Sequence, residues 1–169
     1  MIRTETVLDS WKTCRQDTAL AVEEMPELEF KATPEMQSFR ECAVHLLHSS
    51  QGLVGLLLEG EENFQTPEFR QRLARYFTPV AEDADGATLA AALRESMDQM
   101  TAQLGAQPGE FFSHLITRFD GQKVTRLEMV QFVKEHELTH RSQLFMMLRL
   151  RGIIPATTRR RQAAKPAAK

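Results

Sequence analysis

Apolar residues recur at helical spacing in four segments of the chain, which are separated by stretches rich in proline, glycine and charge. The stripes cover residues 4–25, 38–60, 88–104 and 125–151. A stripe of this kind gives a helix one apolar face, which has to be buried against another element. The pattern therefore predicts four amphipathic helices around a shared core and an all-α fold.

Capping residues indicate where two of these helices begin. The second has two plausible starts, Thr33 with a proline after it, or Ser38 with Glu41 three residues later. The fourth begins at Thr125 with the same Thr-x-x-Glu pattern, and Gly152 stands where a helix of this length would end. We expect the glycines on the inner face of the second helix to let another helix approach closely.

The segments between the predicted helices contain two weaker signals. Residues 59–86 are polar and form a long connection between helices two and three, and residues 68–76 within it have the pattern of a short helix. The Asp120–Gly121 pair between short apolar runs is typical of a hairpin turn. A short irregular or hairpin segment is therefore expected before helix four.

The composition agrees with one soluble domain. A chain of 169 residues with 42% hydrophobic residues can bury a single core. The N-terminus lacks an apolar segment of signal-peptide length, and the longest later apolar run is too short for a bilayer, so we expect a cytoplasmic protein that makes no membrane contact. Two cysteines agree with a reducing compartment, and Cys42 is expected to be a buried apolar residue.

Charge is uneven along the chain. Residues 157–169 carry five of the 21 Lys and Arg residues and none of the 23 acidic ones, which leaves residues 1–156 with a net charge of −7. We expect a domain over 1–156 and a disordered basic tail over 157–169. Nucleic acid is an unlikely partner, because the tail lacks aromatic residues for stacking and a fold that could present a helix.

The last predicted helix contains the main group of candidate functional residues, at His136-Glu137-Leu138-Thr139-His140. Histidines four apart project from one helix face and can approach one metal ion. The pattern also fits the H-E-x-x-H of metalloproteases, but no ligand residue follows His140. The order Glu137 then Arg141 instead predicts a helical ion pair.

A larger set of residues resembles a known family. His136-Glu137-x-x-His140-Arg141-x-Gln143-Leu144, followed by Leu148-Arg149-x-x-Gly152-Ile153-x-Pro155, resembles the C-terminal helix of the DinB-like (DinB/YfiT) superfamily of metal-binding four-helix-bundle proteins. Ser38 to Leu46 resembles the second helix of that superfamily, on which His45 matches its upstream histidine. The resemblance implies a DinB/YfiT-like four-helix bundle and a three-histidine metal site.

The resemblance makes His45, His136 and His140 the expected metal ligands. Three neutral imidazoles leave an open coordination position, as in catalytic sites, and zinc or nickel suits such ligands best. Gln143 and Glu41 are candidates for orienting a ligand imidazole or a bound water. His48 and His114 are rival ligands for which a structural role is the expectation.

Function is expected from the same resemblance. Superfamily members include enzymes that use the metal to activate a low-molecular-weight thiol, which favours a metal-dependent, thiol-dependent transferase acting on an electrophilic small molecule. The alternatives are a metal-dependent hydrolase and a non-catalytic, metal-stabilised stress-response dimer of the DNA-damage-inducible type. We also expect a homodimer, because a second apolar stripe on the last helix could pack against another copy.

Overall fold

The computed structural model of the protein describes residues 3–164, which form a mainly helical fold. The helices are α1 (Thr4–Glu24), α2 (Phe39–Glu59), α3 (Phe69–Ala74), α4 (Gly86–Gly105), α5 (Gly109–Ser113), α6 (Arg126–Leu150) and α7 (Ala156–Ala163). Two short strands, β1 (Leu115–Thr117) and β2 (Lys123–Thr125), stand between α5 and α6. The four longest helices are those that the sequence predicts.

These four helices, α1, α2, α4 and α6, form the bundle. Helix α1 packs mainly against α4 and α6, and α2 also packs against α4 and α6. The two helices that come first in the chain therefore lie diagonally across the bundle rather than side by side. This arrangement places α2 next to α6, so that the two segments bearing the candidate histidines are neighbours.

The core has two hydrophobic clusters with a polar layer between them. Trp11 and Leu57 belong to one cluster, and Val22 and Phe39 to the other. Each of the four bundle helices contributes to the buried polar layer, which comprises Arg15, Thr18, Ser50, Ser96 and Glu137. Met97 and Met100 on α4 are buried core residues.

The capping motifs set the starts of both histidine-bearing helices. Ser38 accepts a hydrogen bond from the Glu41 amide while the Glu41 carboxylate accepts from the Ser38 amide, so α2 begins at the second of its two predicted starts. Thr125 and Glu128 form the same reciprocal pair at the start of α6. Both boxes satisfy amides that a helix start otherwise leaves unpaired.

The long connection packs on α2 through its short helix. A Cβ atom at Gly52 would lie 2.8 Å from Leu73 Cδ2, and one at Gly55 would lie 2.4 Å from the Tyr76 ring. Glycine is therefore required at both positions for α3 and the residues just after it to approach α2 this closely. The hairpin is also present, with β1 and β2 antiparallel and Ile116 opposite Val124.

The tail differs from its expectation. Residues 156–163, most of which fall in the segment expected to be disordered, form α7 and contact α1. The reason is charge complementarity, because Arg159 pairs with Glu24 and Arg160 pairs with Asp17. Residues 165–169 of the predicted tail lie outside the described residues, and the division at residue 156 stays a prediction.

None of the helices described between residues 3 and 164 combines the length and the hydropathy that a bilayer-spanning segment needs.

Candidate metal centre

Three histidines from two neighbouring helices meet at the α2–α6 contact. His45 comes from the middle of α2, and His136 and His140 come from successive turns of α6. All three side chains are half-buried. Their ring centroids lie 4.5–5.0 Å apart, and their planes are inclined at 66–74° to one another. The imidazoles therefore converge on a common point instead of stacking.

The Nε2 atoms face one another at metal-ligand separations. The distance from His136 Nε2 is 3.2 Å to His45 Nε2 and 3.1 Å to His140 Nε2. In the group as a whole the candidate ligand atoms lie within 4.8 Å of one another. Tetrahedral zinc with Zn–N bonds of 2.0–2.1 Å separates its nitrogen ligands by about 3.3–3.4 Å. The donor set thus fits one divalent ion.

The site also favours the neutral form of the His45 and His136 imidazoles. Burial and the neighbouring His140 and His45 rings lower the pKa of His136 to about 4. Burial, followed by His140 and His48, lowers the pKa of His45 below its usual value. A neutral imidazole is the form that binds a metal ion. Three neutral rings with their lone pairs directed together would repel one another unless a cation or a proton lay between them.

Gln143 lies where the sequence analysis expects an orienting residue. Its Oε1 atom is 2.7 Å from His140 Nδ1, at which distance a protonated Nδ1 donates to the amide oxygen. This hydrogen bond leaves the Nε2 lone pair of His140 free to face the other two imidazoles. Cys42 is buried beside the same ring, with Sγ 3.7 Å from Nδ1, and burial raises the pKa of its thiol to about 11. Cys42 is thus buried, as the sequence predicts, and the structure places its thiol behind the His140 ring.

Glu41 has a different position from Gln143. Its carboxylate accepts from the Ser38 amide at 2.6 Å and lies 3.6 Å from Lys31 Nζ. The side chain is thereby occupied at the N-terminal cap of α2, one turn before His45. The structure shows a capping role for Glu41. Among residues 3–164, no hydrogen bond joins its carboxylate to a histidine of the site.

The other two histidines make structural contacts. His48 donates to the Thr78 carbonyl at 2.9 Å, and its ring stacks on Phe77 with the centroids 4.4 Å apart. His114 is exposed, and its Nε2 atom lies 2.8 Å from a Glu62 carboxylate oxygen. Neither belongs to the three-histidine group. The structural interpretation of both residues agrees with these contacts.

Glu137 is where the sequence analysis is wrong. The expected pair with Arg141 is not formed, because Glu137 is 1% exposed and faces the polar layer of the core. Its carboxylate accepts from Trp11 Nε1 at 2.6 Å and from Thr18 at 2.9 Å, and it lies 2.9 Å from Arg15 Nε. Adjacent helix residues project about 100° apart, so the carboxylate next to His136 faces into the bundle. Glu137 therefore cannot serve as the base of an H-E-x-x-H protease.

The comparison that decides the family is one of sequence. A profile of the DinB family matches residues 1–167. The chain belongs to the DinB family. A search of curated proteins finds no match to this DinB protein.

Solved structures show the same bundle. A DinB-like protein of Bacillus subtilis, YjoA, is 23% identical with a TM-score of 0.65, over 87% of this chain and 92% of that one. YfiT from Bacillus subtilis is 19% identical with a TM-score of 0.68, over 90% of this chain and 91% of that one. YfiT is described as a probable metal-dependent hydrolase with an unusual four-helix bundle topology. At these identities the likeness shows the shared fold, which confirms the predicted four-helix bundle.

Proposed function

We propose that this DinB protein is a metal-dependent enzyme in which His45, His136 and His140 hold one divalent ion, zinc or nickel. The observation that carries the proposal is the convergence of three imidazoles from two helices, in which His136 Nε2 lies 3.1–3.2 Å from the Nε2 atoms of His45 and His140, close to the separations around such an ion. Imidazole nitrogen is a good ligand for both metals. Three protein ligands are the usual number in a catalytic zinc site, where a further position is left for substrate or water.

The reaction that we propose is transfer of a low-molecular-weight thiol to an electrophilic small molecule. The thiol sulfur forms a bond to a substrate carbon, the leaving group departs with the electron pair of the broken bond, and the thiol proton passes to the leaving group or to water. A divalent ion at the three histidines would supply positive charge that favours the thiolate at neutral pH. Gln143 holds His140 in the tautomer that such a site needs.

The positions of the two candidate carboxylates favour thiol transfer over hydrolysis. Attack by a metal-bound water is assisted by a base near the reacting centre. Glu137 is enclosed in the core, and Glu41 is held in the cap of α2. Hydrolysis remains the second candidate, because YfiT is described as a probable metal-dependent hydrolase.

The test of the metal site is metal content measured by mass spectrometry on untagged protein. The wild type is expected to hold about one equivalent of metal per chain, and His45→Ala, His136→Ala and His140→Ala are expected to lose it. His114→Ala is the matched control. That histidine contacts Glu62 away from the site, so its substitution should leave the metal content unchanged. Equal metal content in all five proteins would overturn the proposal.

The test of the reaction compares metal-loaded and chelator-treated protein with several thiols and a panel of electrophiles. Thiol transfer predicts metal-dependent loss of free thiol together with formation of a thioether. Hydrolysis predicts product from an ester or amide substrate without any thiol. If neither reaction occurs and metal only raises the melting temperature, the protein is a non-catalytic, metal-stabilised one.

We also propose a homodimer through the outer face of α6. Met146 and Leu150, four residues apart on one helix face, are large apolar side chains that are each 57% exposed. Sizing by light scattering tests this arrangement. A monomer at all concentrations would overturn it, and a dimer that Met146→Glu dissociates would support it.

A further inference from the structure

A large cleft lies beside the histidine site, between α2 and the chain that follows it. Its volume is about 940 Å³, and His45 is one of its lining residues. Residues 37–49 form one side, and residues 69–82 form the other. Pockets for small molecules have volumes of about 300–1,000 Å³. The cleft therefore has the size of a small-molecule site and borders the group to which we assign the chemistry.

The second side of the cleft is fixed firmly to α2. The Thr78 hydroxyl accepts a hydrogen bond from Gln51 Nε2 at 2.7 Å, and the Thr78 backbone amide donates to Gln51 Oε1 at 3.1 Å. His48 donates to the Thr78 carbonyl, and its ring stacks on Phe77. The long connection thus has a defined place on the bundle, held by α2 residues that the histidine site does not use.

The walls of the cleft are mainly apolar. The apolar lining residues are Val44, Phe69, Leu73, Phe77, Val80 and Ala81. Phe69 also begins a row of aromatic rings that leads to the histidines. Its ring lies 5.6 Å from Phe119, which lies 5.5 Å from Phe132, which in turn lies 6.3 Å from His136. An apolar ligand body in the cleft would therefore contact a surface continuous with the histidine site.

Four charged residues line the cleft, Arg40, Glu41, Arg70 and Glu82, and the first two already have partners. Arg40 is held by Glu29 and by the Ala84 carbonyl, and Glu41 is held in the helix cap. Arg70 is exposed, and within residues 3–164 no carboxylate forms an ion pair with it. The nearby cations differ from it, since Arg72 pairs with Glu61 and Arg75 with Glu59. Arg70 is thus a rim cation available to a ligand.

We propose that this cleft binds the electrophilic substrate, a small molecule with an aromatic or other apolar body and an anionic group that pairs with Arg70. The identification of the ligand as a substrate rests on the proposed function, whereas the ligand class rests on the cleft itself. The apolar walls contact the body of the molecule. Arg70 fixes the anionic end at the rim, and the reacting end lies toward His45.

The test uses 4-phenylbutyrate as the probe and compares it with butyrate and with 4-phenylbutylamine. Binding is measured by calorimetry, and the site is located from chemical-shift changes in labelled protein. We expect 4-phenylbutyrate to bind and to shift residues 37–49 and 69–82, while the other two compounds bind at least tenfold more weakly. Equal or tighter binding of the amine, or shifts confined to another surface, would overturn the proposal.

Two substitutions test the anion contact. Arg70→Glu should weaken 4-phenylbutyrate binding about fivefold to tenfold, because the attraction between the guanidinium and the carboxylate becomes a repulsion. Arg161→Glu makes the same charge change on α7, which does not line the cleft, and should leave binding unchanged. An equal loss in both variants would mean that net charge alone acts, which overturns the role of Arg70.

The metal proposal and the cleft proposal can fail separately. The same titration is repeated with His136→Ala, because that histidine does not line the cleft. If the wild type proves to hold no metal, binding of 4-phenylbutyrate still decides the cleft proposal. If the wild type holds metal but neither protein binds the probe at millimolar concentration, the cleft proposal fails while the metal site stands.

Discussion

At the scale of single residues, the hydrogen bond between His140 and Gln143 is the contact most directly tied to metal affinity. We expect Gln143→Ala to weaken metal binding about tenfold to a hundredfold, because loss of the 2.7 Å contact frees the imidazole to rotate and to change tautomer. The measurement is a competition titration with a chromophoric chelator. Gln131→Ala is the control, since its amide donates to Glu135 on the same helix. Unchanged affinity in Gln143→Ala would show that packing alone orients His140.

Glu137 provides the second test at this scale. Its carboxylate is the buried anion opposite Arg15, which is itself 1% exposed. Glu137→Gln would leave a guanidinium buried without its counter-charge, and breaking such a pair costs about 3–5 kcal/mol of unfolding free energy. Urea unfolding measures the loss. Glu135→Gln, at an exposed position two residues earlier, should be nearly neutral.

The metal content of Glu137→Gln separates a structural role from a chemical one. The variant should retain its metal wherever it is folded, because the carboxylate faces away from the histidines. A variant that kept its stability and its metal but lost turnover would mean that Glu137 takes part in the reaction after all.

The histidines and Glu137 show what a sequence reveals about a site. Histidines four apart on one predicted helix, with a third on another, can be paired from spacing and family pattern, and the structure brings these three together. The direction of Glu137 could not be read from the same motif. It depends on Arg15 and Trp11, which lie more than a hundred residues earlier in the chain and meet Glu137 only in the folded bundle.

At the scale of elements, the contact between α2 and the segment that ends α3 depends on the absence of a side chain. A Cβ at Gly55 would lie 2.4 Å from the Tyr76 ring, closer than any real contact, so Gly55→Ala has to displace that ring, which lies two residues after α3. We expect a loss of about 1–3 kcal/mol in unfolding free energy, as for other overpacked contacts. Urea unfolding is the measurement.

A glycine in open space is the matched control for this change. Nothing lies within 4 Å of a Cβ at Gly105, near the end of α4, so Gly105→Ala should stabilise the protein by about 0.4–1 kcal/mol through a less flexible unfolded chain. If both alanines stabilised the protein equally, Tyr76 and the chain around it would have to be free to move away from α2, and the cleft beside them would not be a fixed site.

Elements with strong local signals were predicted well, and those that depend on distant partners were not. Each capping box, in α2 and in α6, is formed by two residues three apart in the sequence, and the structure contains both boxes. Helix α7 lacks an apolar stripe, and its partners Glu24 and Asp17 lie on the first helix of the chain. The local sequence pattern of this segment therefore predicted disorder, whereas ion pairs with a distant helix support α7 in the structure.

At the scale of the whole molecule, α7 connects the end of the chain to its beginning. Asp17 is 7% exposed and interacts with both Arg141 and Arg160, so its charge depends on two separate helices for compensation. Removal of residues 156–169 would leave Arg141, at 3.5 Å, as the remaining cation beside it. We expect a loss of about 1–2 kcal/mol in unfolding free energy with the bundle and the metal content retained.

Urea unfolding of the truncated and full-length proteins at low and high salt checks this expectation, because the contribution of exposed ion pairs falls as salt screens them. Arg160→Ala should account for much of the loss. Arg161→Ala, an exposed cation on the same helix, should cost little. If truncation changed neither the unfolding free energy nor its salt dependence, α7 would make no stabilising contact with α1, and the disordered tail predicted from the sequence would be the better description of this segment in solution.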